Sequence, residues 1–416
     1  MPDLYDPNRP YPGREEPDGP TPEATGNGTA RPAGHGDGSP RATSAGPAPA
    51  PAPIPAPAQS PDPAHARAGA DESAHFPPVP DSVPSPEPGR VPSGGADADR
   101  IRIGLWGAPR SGKTTYLAAL PIAAMQYQRH HEGAWNISGM TPEANAFLSQ
   151  GIDLLTRQRT FPEATMGIRD MAWSVQGPQK KGMWGIGRRR PSFVLDIQDA
   201  AGEVFGDGHP QQAQLVGRLA RAQGLIYLFD PLGDAEEATE NFNFLQSTLT
   251  QLTAQVRNRQ ELVGGRLPHH VSVCITKFDH PDIFKPSAEL GWAKQDTEGA
   301  ALPRVPQEQS ERYFQWMCDD FRGSNARLVR DALYAYFDPR RISYYATSAV
   351  GFRLTPQHVF DYNDYVQPVL VETKQRLRTS PVPINVLEPL IDLEERVHRD
   401  RGREGRANVR RGRKQR

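Results

Sequence analysis

From residue 101 onward the chain alternates short apolar runs with longer amphipathic stretches. Residues 100–106 read as a buried strand, and a Gly-rich turn and a helix from Lys113 to about Met125 follow it. Residues 141–157 have helical spacing, with Thr141 as N-cap and Glu143 in the first turn, where a carboxylate suits the positive end of the helix. Residues 168–176 alternate as a strand does, and 193–198 form another short strand. Residues 211–223 read as helix, 224–229 as the continuous apolar run of a central parallel strand, and 236–257 as a long helix. Residues 271–275 and 342–347 are two further strands, and a helix over 385–397, capped by Asn385, closes the pattern. Strands alternating with helices predict an α/β fold built on a doubly wound, mostly parallel sheet.

Two segments interrupt the alternation. Residues 177–191 lie between two strands that can pair as a hairpin. Residues 279–341 are too long for a structureless connection and carry helical stretches around 307–321 and 325–337, so a helical insertion is expected at about 280–340.

Composition separates the ends of the chain from its body. Of the 43 prolines, 24 lie in the first hundred residues, a stretch with few aromatic or β-branched side chains. Such a segment buries too little apolar surface to offset its ordering entropy, so 1–99 reads as a disordered, partly polyproline-II arm. It serves as a linker or solubilising tail, or else carries docking motifs. The net charge of −1 hides an asymmetry, because residues 396–416 hold ten Arg or Lys against two Asp or Glu. A basic disordered tail over 398–416 is expected, suited to an acidic partner, a nucleic acid or an anionic membrane, although no specific nucleic-acid motif is present. The two cysteines, Cys274 and Cys318, have no metal-type spacing, and Cys274 sits in an apolar run as a core residue would. With neither a signal peptide nor an apolar membrane span, a cytoplasmic protein is expected.

The chemistry lies in four short motifs. Gly107-Ala108-Pro109-Arg110-Ser111-Gly112-Lys113-Thr114 fulfils the pattern G-x-x-x-x-G-K-[ST] between an apolar strand and a helix. Its glycines let backbone N–H groups turn inward around phosphate oxygens, and the helix N-terminus adds its positive end. Gly107, Arg110, Ser111, Gly112, Lys113, Thr114 and Thr115 are the expected contacts. Lys113 would reach the β- and γ-phosphates, and the Thr114 hydroxyl would ligate Mg2+. Asp199-Ala200-Ala201-Gly202 follows a strand. There Asp199 suits a Mg2+-bound water, and Gly202 can bring its N–H to a γ-phosphate with no side chain in the way. Thr276-Lys277-Phe278-Asp279 selects the base: the Asp279 carboxylate can accept the N1 and N2 hydrogens of guanine, which adenine lacks, while the Lys277 stem covers the base face. Thr347-Ser348-Ala349 ends the next strand, and a backbone N–H near Ala349 would meet guanine O6.

In this order and spacing the motifs resemble Ras-like GTPases of the translation-factor class, over nearly all of residues 101–397. Within that class Thr160-Phe161-Pro162-Glu163-Ala164-Thr165 and Pro383-Ile384-Asn385-Val386 are similar to bacterial double-GTPase domains, found in predicted regulatory and conflict-associated gene neighbourhoods. The resemblance implies a P-loop GTPase domain over 100–397, GTP or GDP with Mg2+ as cofactors, and a protein effector or second GTPase as partner. It implies a nucleotide-dependent switch that hydrolyses GTP; the alternative is a non-hydrolysing GTP-binding adaptor or scaffold, and Asp279 speaks against an ATP-driven motor or kinase. Lys113, Thr165, Gly202 and Glu203 are the expected catalytic set. Thr165, just before the strand that starts at Ile168, fits the switch threonine that caps Mg2+ and the γ-phosphate, with Thr160 as the alternative. Two departures are visible. Glu203 stands where many members carry a water-orienting Gln, and Arg110 lies inside the phosphate loop, either as a built-in finger or as a solvated surface Arg. The tip of the 177–191 hairpin adds Lys180, Lys181, Arg188, Arg189 and Arg190 around Met183, Trp184 and Ile186, a composition suited to lipid headgroups or an acidic partner unless Trp184 folds back onto the body.

Overall fold

Apolar runs that need cover on both faces form the middle of one sheet. In the computed structural model, residues 100–127, 133–163, 168–181, 188–200, 210–233, 235–297, 299–322 and 324–414 are described. The arm at 1–99, the hairpin tip at 182–187, Thr165, Gly202 and Glu203 lie outside them.

In chain order the strands are β1 (Ile101–Gly107), β2 (Asn136–Gly139), β3 (Ile168–Gln176), β4 (Lys180–Lys181), β5 (Arg188–Arg189), β6 (Ser192–Ala200), β7 (Gly224–Phe229), β8 (His270–Ile275), β9 (Lys294–Gln295), β10 (Pro303–Arg304), β11 (Ile342–Ala346), β12 (Pro368–Val371) and β13 (Lys374–Leu377). The helices are α1 (Lys113–Tyr127), α2 (Pro142–Asp153), α3 (Pro210–Leu219), α4 (Ala235–Asn258), α5 (Pro281–Glu289), α6 (Ser310–Trp316), α7 (Ser324–Tyr336) and α8 (Glu388–Lys414).

Seven strands form the main sheet in the order β11-β8-β7-β1-β6-β3-β2. β11, β8, β7, β1 and β6 run parallel, and β3 is antiparallel to both β6 and β2. The fold is therefore α/β with a mostly parallel sheet. Residues pack by the period of two that a strand imposes. In β7, Leu225, Tyr227 and Phe229 join a core with α3, α4, α5, α6 and α7, whereas Ile226 and Leu228 join a second core with α1, α2 and α8. Helices thus cover both faces of the sheet, and the carboxyl ends of its parallel strands stay free to carry loops.

β3 and β6 pair along nine residues each, as the hairpin reading of 177–191 requires. The 280–340 stretch is mostly helical, carrying α5, α6 and α7 with a π-helical turn over Met317–Phe321 between the last two, and a short antiparallel pair, β9–β10, interrupts it between α5 and α6. Thr141 caps α2, its hydroxyl accepting the Ala144 N–H at 3.2 Å.

Three elements depart from the sequence reading. β2 adds an edge strand with a single large apolar residue, Ile137, too little alternation to be read. The hairpin β12–β13 turns through Glu372 at φ 56° and Thr373, without the Asn or Gly that marks such turns. The closing helix begins at Glu388, not Asn385, and continues to Lys414 instead of giving way to a disordered tail at 398. Asn385 does not cap it: at φ 50° it donates from its side-chain amide to Ala346 O at 2.8 Å. The extension past Val397 is rich in Arg, a good helix former, which offsets its three glycines, and Asp400 ties its start to His270 and Arg341. Among the described residues no helix is long and apolar enough to cross a membrane.

An aromatic cluster joins the insertion to the rest of the core. The Phe284 ring lies 4.5 Å from Phe352, 4.8 Å from Tyr365, 5.7 Å from Phe360 and 5.9 Å from Phe278. Phe284 is 1% exposed. Phe284→Ala is expected to destabilise the chain by about 3–5 kcal/mol, because the cavity it leaves is walled by rings that cannot collapse into it. Urea unfolding followed by circular dichroism measures this; a loss below about 1 kcal/mol would show that the cluster is not tightly packed.

Candidate functional site

The loop between β1 and α1 is bent by backbone conformations that only certain residues accept. Gly112 has φ 88° and Arg110 has φ 61°. A Cβ on Gly107 would sit 2.7 Å from Ser111 Oγ and 2.8 Å from Leu228 O, so the position is closed to any larger residue. Lys113, 7% exposed, turns its ammonium back onto the loop, donating to Gly107 O at 3.0 Å and Ala108 O at 2.8 Å. Two carbonyls and a cation are thereby held under the loop at the amino end of α1. Ser111 Oγ is buried and has no hydrogen-bond partner among the described residues. Thr114 and Thr115 follow in the first turn of α1, both half-buried.

The loops after β8 and β11 are knotted together. Thr276 N–H and Thr347 N–H extend the sheet pairing, to Phe229 O at 2.8 Å and Ile275 O at 2.7 Å. The Phe278 N–H donates to Thr347 O at 3.1 Å. Asp279 is 6% exposed, and its carboxylate accepts from the Ser348 hydroxyl, which in turn accepts the Gly351 N–H at 2.7 Å. Lys277, at φ 60°, directs its ammonium to Asp230 at the carboxyl end of β7, 2.6 Å away. Behind these loops Ser348 pairs with Ile384 through Ser348 N–H to Ile384 O at 3.0 Å and Ile384 N–H to Ser348 O at 2.8 Å. The Thr347 hydroxyl donates to Asn385 O at 3.3 Å, and the Tyr116 hydroxyl donates to Val386 O at 2.6 Å. The Pro383–Val386 segment is thus a brace under the loops after β8 and β11.

A cavity of about 610 Å3 joins the two halves. Arg110, Gly112 and Thr115 line it from the first loop; Thr276, Lys277, Asp279 and Ala349 line it from the other two. Ser348 stands behind Asp279, and Lys113 and Ser111 lie beneath the first loop. Asp199 is the penultimate residue of β6, the parallel neighbour of β1. Thr165, Gly202 and Glu203 lie outside the described residues. The Thr160 main-chain N–H donates to Leu154 O at 3.0 Å, and the residue forms an antiparallel bridge with Arg376. No group of three or more His, Cys, Asp or Glu poised for a metal ion occurs among the described residues. Sequence reasoning missed Asp230, and Val366, Pro368 and Gln375 of the β12–β13 region, which also line the cavity with Phe161. Asp230 was findable as an acidic residue ending a buried strand; the β12–β13 residues belong to a hairpin without a turn signature.

No family model matches the chain, and no curated protein is similar to it. Among solved structures, the crystal structure of sup35 complexed with GDP aligns with a TM-score of 0.26 at 13% identity, over 62% of this chain and 41% of that one. The alignment spans less than half of that chain and assigns no residue a role.

Burial raises the Asp279 carboxyl above its ordinary value of 3.8, against the lowering effect of the Ser348 hydroxyl. The folded chain therefore holds a proton at Asp279 more firmly than the unfolded chain. The stability it contributes is greatest at low pH and falls as pH rises from 3.8 through the raised value. Above that window the cost of a buried charge is fully present. Asp279→Asn keeps the shape without the charge and should be more stable than wild type at pH 7.5, with the difference shrinking towards pH 5. Urea midpoints at the two pH values test this; a less stable variant at both would show that Asp279 is favoured as a carboxylate by the fold itself.

Proposed function

We propose that this chain is a P-loop GTPase with its nucleotide domain over residues 100–397, binding guanine nucleotides and hydrolysing GTP as a molecular switch. One observation carries the reading: a single cavity is lined at once by Arg110 and Gly112 of the G-x-x-x-x-G-K-T loop, by Thr115 just after it in α1, and by Lys277, Asp279 and Ala349 of the loops after β8 and β11. A phosphate group at the first loop meets backbone N–H groups and the positive end of α1. Lys113 already points its ammonium at the loop and can exchange carbonyl partners for phosphate oxygens. A base at the other end meets a carboxylate that Ser348 holds in place. Lys277, pinned to Asp230, supplies an aliphatic stem beside it.

Thr114 and Asp199 offer hydroxyl and carboxylate oxygens, the hard donors that Mg2+ prefers, so the residue types fit that ion. When bound, Mg2+ neutralises charge on the β- and γ-phosphates. In the same reading Thr165 and the Gly202 N–H respond to the γ-phosphate, and Glu203 accepts a proton or hydrogen bond from the attacking water. A protein effector or a second GTPase is the partner such a switch needs.

Calorimetry should show Mg2+-dependent binding of GTP and GDP with strong preference over ATP and ADP. Losing a buried, charge-assisted bidentate contact costs roughly 2–4 kcal/mol. Asp279→Asn should weaken GTP by that order and favour xanthosine triphosphate. Equal affinity of the wild type for GTP and ATP contradicts the base assignment.

Hydrolysis should be slow, because Glu203 replaces the water-orienting Gln. Ras-like chemistry without a finger runs at about 10⁻⁴–10⁻³ s⁻¹. Single-turnover phosphate release measures it. A rate near 1 s⁻¹, on the order of a partner-assisted enzyme, would be incompatible with this account, and its loss in Arg110→Ala would identify a built-in finger. Binding with no release at all would leave a GTP-binding adaptor.

A further inference from the structure

One wall of the cavity comes from a part of the chain that none of the four motifs covers. Val366, Pro368 and Gln375 line it together with Phe161. The β12–β13 hairpin leaves the body at Gln367 and returns at Arg378, whose N–H donates to Gln367 O at 3.0 Å. This root is firmly held. The buried Gln367 amide accepts the Thr379 N–H and hydroxyl, both at 3.0 Å, and donates to Thr379 O at 3.2 Å. The Asp364 carboxylate accepts from both Arg353 and Arg378.

Farther along, β13 is joined to the segment after α2. The Leu377 N–H donates to Arg159 O at 2.8 Å, Arg376 bridges Thr160, and Arg159 Nη1 donates to Arg378 O at 3.2 Å. Leu377 is buried with Leu155 and Val350, against Phe161 and Ala349. This seam is weaker than the root: a few backbone bonds, exposed arginines and one leucine, against a paired carboxylate and a buried amide with three hydrogen bonds. Local opening follows the weaker set of contacts.

The chemistry of the wall indicates which part of a ligand it meets. Phe161, Val366 and Pro368 present apolar surface, and Gln375 presents one amide donor group and one acceptor. None is cationic, so the wall suits a base and sugar, while the phosphates belong to the 107–114 loop.

We propose that the β12–β13 hairpin is a nucleotide-retaining wall: Phe161, Val366, Pro368 and Gln375 contact the nucleoside half of a bound guanine nucleotide, which leaves when the hairpin parts from residues 159–161. This rests on the guanine-nucleotide reading above. Nucleotide release is then set by the seam between β13 and the 159–161 segment, and guanine preference is set separately by Asp279.

The proximity of Gln367 and Arg378 makes a clean test possible. Residues 368–377 are replaced by Asn-Gly, a two-residue turn that can join strands so placed. Release of radiolabelled GDP into excess unlabelled GDP is followed by filter retention, in the full chain and in the clipped one. Release at least tenfold faster, with GDP still preferred over ADP, is expected. Phe161→Ala/Gln375→Ala, which leaves the root intact, should release about threefold faster or more. Release within twofold of wild type in both overturns the proposal. If the clipped chain shows no cooperative thermal unfolding, the double variant decides alone. Failure of the underlying reading looks different: wild type then retains GDP and ADP alike, or retains neither, and the proposal falls with it.

Discussion

A carboxylate buried inside a protein has to be held by donors, and Asp279 sets that constraint for the whole region around the loops after β8 and β11. Its donor is the Ser348 hydroxyl, 69 residues away in sequence. To supply it, β11 must lie beside β8 in register, with Ala346 opposite Ile275, so that both strands end at the same level. The same hydroxyl accepts the Gly351 N–H, which turns the chain sharply after the loop. Gly351 has φ 67°, and a Cβ there would fall 2.0 Å from Val382 O, so the return of the chain to Ile384 leaves no room for another residue. One buried charge thus fixes two loops, a turn and the segment that precedes α8. The cost of burying it is the kind that functional sites tolerate and cores avoid.

The loop between β1 and α1 is governed by a different balance of charge. Lys113 satisfies loop carbonyls with its ammonium, so the loop keeps its shape through a cation that an anion can also recruit. The two halves meet because β1, β7, β8 and β11 are parallel and end together, with apolar side chains on both faces packed under helices. Lys277 and Asp230 link the ends of β8 and β7 across that edge. A site assembled this way depends on strand register more than on any single loop, since slipping one strand by a residue would separate Asp279 from Ser348.

Much of this was legible in the sequence because it is carried by local patterns. The central strands are continuous apolar runs, and β3 and β7 coincide with their pattern residue for residue. The loops that line the cavity are short motifs at strand ends. What escaped was set by tertiary contact. Asn385 looks like a helix cap by its residue type, yet the space beneath the Thr347 loop claims it as a left-handed brace hydrogen-bonded to Ala346 and Thr347. The β12–β13 hairpin has no turn residue to announce it, and its position over the cavity follows from the Asp364 and Gln367 contacts at its root. Asp230 has no motif of its own and acquires a role only when β7 lies beside β8.

The central claim is that the two motif-bearing halves hold opposite ends of one guanine nucleotide. A crystal structure of the chain with GDP and Mg2+ tests it most directly. The account predicts guanine N1 and N2 within hydrogen-bonding distance of the Asp279 carboxylate and the β-phosphate cradled by residues 107–114, with Lys113 turned to it. A nucleotide bound elsewhere, or bound by its phosphates with the base turned away from Asp279, would contradict it.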